Sequence, residues 1–143
     1  MEIKNERYEM RYNRAKNRVY FKIVGFWSRP EVVPNYVQDW KRLLTDVKPG
    51  YTILTDATEM AAPPDEVVKH VHVPAQQVVM KAGVSKIAEV VSRPVTQLSV
   101  QRMARESGMA SYKREFNDRV EAEKWLDEAV VPEKVGAAAG SRR

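Results

Sequence analysis

The chain has 143 residues, no cysteine, and a formal net charge of +5 from 24 Lys and Arg against 19 Asp and Glu. That length suits one domain with a self-sufficient core, and the lack of thiols excludes disulfide frameworks, thiolate metal sites, iron–sulfur clusters and cysteine nucleophiles. No apolar run approaches the ~18–20 residues of a membrane span, and the segment Met1–Arg7 has no signal-like apolar region, so a cytoplasmic domain is expected.

The opening reads as a hairpin. Tyr8, Met10 and Tyr12 alternate with Glu9 and Arg11, residues 13–17 form a polar turn, and Val19 to Trp27 is a second strand with Val19, Phe21 and Ile23 on one face. Gly25 late in that strand marks a bulge or a close backbone approach. Ser28-Arg-Pro-Glu31 matches a capping box, and Val33, Tyr36, Val37, Trp40, Leu43, Leu44 and Val47 recur at helical spacing. Pro34 lacks an amide proton, so either the first turn is separate or the helix proper begins near it, ending at Lys48-Pro49-Gly50.

Tyr51–Asp56 reads as a short buried strand and Ala57–Pro64 as a loop. Asp65 is placed to cap a second helix with Val67, Val71, Val78 and Ala82 on one face, kinked or split by Pro74 and stopped at Gly83. A strand over Lys86–Val91, a helix over Pro94–Ser107 with Gly108 as its stop, and a strand over Ala110–Phe116 with Tyr112 and Phe116 on one side follow. Asp118-Arg-Val-Glu121 opens a final helix carrying Val120, Ala122, Trp125 and Leu126. The predicted order is β-β-α-β-α-β-α-β-α, an α/β fold with a mostly parallel mixed central sheet. One domain spans residues 1–129, and residues 130–143 form a low-complexity tail.

The charge lies in blocks: +4 over residues 1–22, −2 over 23–80, +5 over 81–114, −4 over 115–130 and +2 over 131–143. Such blocks form a basic face that steers an acidic partner, or an ordinary mixed surface, and the second reading is preferred.

This order of elements resembles the SpoIIAA-like, STAS-like family. Arg18-Val-Tyr-Phe-Lys-Ile-Val-Gly25 looks like the second strand of those domains, Tyr51-Thr-Ile-Leu-Thr-Asp56 like their central strand, and Phe116 through Leu126 like their last strand and helix. The resemblance covers roughly residues 8–128, is closest to a divergent branch of small bacterial proteins, and extends in fold to the CRAL-TRIO lipid carriers. It implies a regulatory, signalling-type module that binds a partner protein through the loop and helix start after the central strand. Family members carry a phosphorylatable serine there, whereas this chain reads Asp56-Ala-Thr-Glu-Met-Ala-Ala-Pro-Pro-Asp65, with Thr58 its only hydroxyl.

The candidate chemistry is sparse. His70 and His72 share a face on a strand and suit a metal there with Asp65 or Glu66, but they diverge by roughly 200° on the helix expected here. They are read as exposed polar residues near Pro74, and no metal site is assigned. Asp56 at a strand carboxyl end is a binding group, a base or a turn former, and spacing fixes no second carboxylate or nucleophile beside it. No Walker, dinucleotide-binding or nucleophile-elbow pattern occurs among only six glycines. The hairpin interleaves Tyr8, Tyr12, Tyr20 and Phe21 with Arg11, Arg14, Arg18 and Lys22, but strand faces that need burial outweigh nucleic-acid stacking. Gln101, Arg102 and Arg105 are likewise read as a solvated helix face before an anion site.

The expected function is therefore non-catalytic: binding of another protein, or self-association, through Asp56, Thr58, Glu59, Met60, Asp65 and Glu66, with no cofactor. The alternatives are a carrier or sensor of a lipid-like apolar ligand, for which Val67, Val71, Val78, Val79, Met80, Met103 and Met109 supply a lining, and nucleic-acid binding by the basic blocks.

Overall fold

The computed structural model describes residues 1–128, so the expected tail lies outside the described residues. Six strands form one sheet in chain order: β1 (Glu2–Lys4), β2 (Tyr8–Asn13), β3 (Arg18–Gly25), β4 (Thr52–Met60), β5 (Lys86–Val90) and β6 (Lys113–Phe116). The β1–β2 and β2–β3 pairs are antiparallel, and β3 through β6 run parallel. The fold is α/β with a mixed sheet. Three-residue β1, absent from the sequence reading, continues the hairpin outward by pairing Ile3 with Met10.

Strand parity sorts side chains into two cores of unequal size. Val19, Phe21 and Ile23 of β3 and Ile53 of β4 point into the larger one, beneath α1 (Tyr36–Leu43), α3 (Val73–Lys81) and α4 (Pro94–Ser107). Leu54, Ala88 and Val90 point the other way, onto Ala122 and Leu126 of α5 (Arg119–Asp127). Tyr20, Phe116 and Trp125 close that smaller cluster.

Several expected boundaries move. Ser28 caps nothing: Pro30–Val32 form a 3-10 turn, and α1 begins at Tyr36, beyond the missing donor of Pro34. Both resolutions of the proline conflict therefore occur together. The helix also stops at Leu43, before Lys48. Tyr112 belongs to a 3-10 turn, Met109–Tyr112, and packs on the larger core while Phe116 packs on the smaller, so the two do not share a side. Val120 lies on the exposed face of α5.

The largest change concerns β4. It runs on through Met60, so Ala57–Met60 is strand and only residues 61–64 remain as connection. Lys22 pairs with Asp56 but Val24 pairs with Glu59, so two residues of β4 face one of β3 in a bulge. Asp56 Oδ1 accepts from the Thr58 amide at 3.0 Å and from its hydroxyl at 2.6 Å, closing the bulge like an Asx turn. Parity shifts there, and Ala57 and Met60, three residues apart, both enter the larger core.

Pro74 neither splits nor ends the second helical segment. Asp65–Val67 (α2), a π-turn over Val68–His72 and α3 run without interruption, and the Val73 amide donates to the Val68 carbonyl five residues back. The extra residue widens the turn just before Pro74, which then stands at the start of α3, where its ring meets no tight turn. It also shifts the buried stripe to Val67, Val71, Ala75 and Val79, in place of the expected Val78. Helix α4 ends as expected on Gly108, which adopts φ 89° in the left-handed region that favours glycine.

Candidate functional site

Because β3 to β6 are parallel, their carboxyl ends share one edge of the sheet, the edge where α/β proteins place binding groups. The six residues expected to bind a partner approach this edge, but not as one patch. Glu59 is exposed and pairs with Lys22 Nζ at 2.8 Å, a hydrogen bond and charge that hold the ammonium above its ordinary pKa. Asp56 and Thr58 are half-buried and spend their polar atoms on each other. Met60 is buried, its side chain in the larger core and its carbonyl accepting from Thr96 Oγ1 at 2.9 Å. The loop reading of Thr58, Glu59 and Met60 is thus corrected: with Asp56 they belong to β4, and of the four only Glu59 is exposed.

Asp65 and Glu66 are exposed in the first turn after Pro64. Asp65 is the first helical residue, not the cap. It forms an ion pair with Arg102 of α4, whose hydrogen bond and charge hold the carboxyl below its usual range. Arg102 also pairs with Glu106 at 2.9 Å.

Exposed apolar residues were missed at this edge. Phe26 directly follows β3, Val95 and Leu98 stand in the first turns of α4 after β5, and Val120 opens α5 after β6. A usable signal existed: Thr96, Val100, Met103 and Ala104 mark the buried stripe of α4, which leaves Val95 and Leu98 outside it. Asp118 caps α5 as expected, accepting from the Val120 amide at 2.9 Å.

A second candidate lies inside the larger core. A pocket of about 50 Å³ opens between the sheet and α1, α3 and α4. Among its lining groups are Thr55, His72, Gln76 and Glu89, set in an otherwise largely apolar wall. Glu89 neighbours Thr55 in the β4–β5 register. Lys113 Nζ donates to its carboxylate at 2.5 Å and to the Val100 carbonyl at 3.1 Å. A charged residue within the run Lys86-Ile-Ala-Glu-Val-Val91 was the sequence signal for this buried pair.

His72 overturns the expectation of two exposed histidines. His70 is exposed, but His72 is 4% exposed and stacks on Trp27 with ring centroids 5.1 Å apart. Burial pushes its pKa down to about 4, leaving the imidazole neutral near pH 7. Its Nε2 has no hydrogen-bond partner. Among the described residues no group of three or more His, Cys, Asp or Glu is placed to hold a metal ion.

Tyr8 and Phe21 are buried, so the hairpin does not offer them as base-stacking surfaces. Tyr20 faces the opposite side of the sheet, with the Arg11 guanidinium 4.4 Å and that of Arg119 5.7 Å from its ring. No described helix is long and apolar enough to cross a membrane. No protein-family model matches the chain, and no curated protein matches it significantly.

Proposed function

We propose that this chain is a non-catalytic, STAS-like interaction module that docks a partner protein on the edge formed by the carboxyl ends of β3 to β6. The observation that carries this reading is the placement of Phe26, Val95, Leu98 and Val120, four large apolar side chains exposed after three parallel strands that end together. Exposed apolar groups cost solubility and mark interaction surfaces when they gather at one place. Glu59, Asp65 and Glu66 supply exposed acidic groups near the same edge. The hairpin followed by alternating helices and strands supports the STAS-like assignment, and a cytoplasmic setting belongs to the same reading.

Photo-crosslinking residues placed at positions 26 and 98, with position 15 in the hairpin turn as control, test the surface. The expected result is one discrete cross-linked protein from 26 and 98 and none from 15. The same products from all three positions, or none from any, overturn the proposal. A product of twice the chain mass identifies a second copy as the partner.

A further inference from the structure

The interior pocket carries an inference independent of the docking edge. Buried polar residues elsewhere are paired: Arg18 with Thr52, Asp39 with Tyr8, and Thr96 with the Met60 carbonyl. His72 Nε2 is the one buried side-chain polar atom without a partner among the described residues, and His72 lines the pocket. Leaving such an atom unpaired is costly, which favours any occupant able to bond it. A hydroxyl both donates and accepts, so it satisfies either tautomer of a neutral imidazole.

The remaining walls limit the occupant further. The Glu89 carboxylate is already compensated by Lys113, whose side chain is 5% exposed, so the lining offers no uncompensated charge to attract an ion. Met60, Met103 and Met109 are unbranched and adapt to the shape of a guest. A volume of 50 Å³ is far below the ~300–1,000 Å³ of sites for drug-sized ligands, and an acyl chain does not fit.

We infer that this pocket binds a small neutral alcohol of about four to six heavy atoms, its hydroxyl bonded to His72 Nε2 and its apolar end against Met103 and Met109. This occupant is much smaller than the lipid-like ligand that the sequence offers as an alternative. Recognition rests on one buried hydrogen bond, and a site built around such a bond rejects the analogue that lacks it.

The full chain labelled with 13C at its methionine methyl groups tests this by NMR titration with isobutanol and its hydrocarbon isostere 2-methylbutane. Met60, Met103 and Met109 should shift saturably with isobutanol, while Met1 and Met10 remain as internal references. Isobutanol should bind at least tenfold more tightly than 2-methylbutane, and His72→Phe, which retains a ring to stack on Trp27, should abolish that preference. No saturable shift with isobutanol, or a preference below tenfold in the wild-type chain, overturns the inference. The comparison of the two probes decides the matter even if His72→Phe does not fold.

Discussion

His72 shows how one side chain links burial to acid sensitivity. Its imidazole stacks on Trp27 and meets Tyr36 edge-on at 5.9 Å, and burial lowers its pKa from 6.5 to about 4. Between those values the unfolded chain binds a proton that the folded chain refuses. The stability contributed by the neutral group is therefore complete above pH about 6.5 and is lost as pH falls toward 4, by about 3 kcal/mol. Urea unfolding at pH 7 and pH 4.5 should show this loss in the wild-type chain and a much flatter profile in His72→Phe; equal pH dependence would refute the assignment. The sequence placed His72 beside exposed His70 because alternation within a short polar-looking pair says nothing about burial. Of the three roles the sequence left open for Asp56, binding group, base or turn former, its hydrogen bonds show the last. Its bonds to Thr58 fulfil that role within β4, whose own residues announce no bulge; the sequence marked one, or a close backbone approach, at Gly25 of the neighbouring β3.

The segment 65–81 makes the same point one level up. Removing a proline from a regular helix interior restores a hydrogen bond and relieves a clash worth about 3 kcal/mol. Here the π-turn over Val68–His72 already removes that conflict. Pro74→Ala should then destabilise by about 0.4–1 kcal/mol, because the unfolded chain gains freedom while the folded one regains little. A gain of about 3 kcal/mol in urea unfolding would show that the proline is strained after all. Helical periodicity revealed the existence of this helix, but a π-turn inserts one residue and moves the later stripe from Val78 to Val79. In β4, likewise, period-2 alternation was readable through Asp56 and failed where the bulge placed Ala57 and Met60 on the same side. The helix over Pro94–Ser107 was fully legible because a proline at its first position and Gly108 after its last bracket it.

At the level of the molecule, α5 is the one helix among the described residues that covers its side of the sheet, over the smaller cluster. Arg18, 3% exposed, reinforces it by reaching Glu123 and, at 2.8 Å, Asp127. Tyr20 adds a hydroxyl bond of 2.7 Å to Glu123. Burial alone raises the Glu123 pKa, but bonds from Tyr20 and Arg18 bring it below its ordinary value, and the Arg18 bond does the same for Asp127. Because both folded carboxyls are depressed, the stability they contribute is complete above the usual carboxylate range and is lost as pH falls through their folded values. Arg18→Met should cost about 2 kcal/mol, less than a fully buried pair because Asp127 is half exposed. It should also flatten the acid side of the stability curve, read by urea unfolding from pH 5 downward. The layered α/β order was visible in the sequence because each element has its own period. The staple was not, since it depends on which distant segments the assembled sheet brings together. Arg18 lies 105 and 109 positions from Glu123 and Asp127, so these bonds close very long loops, after the sheet between them has assembled. The staple thus belongs to a late event in folding: in stopped-flow measurements Arg18→Met should speed unfolding while leaving the refolding rate nearly unchanged.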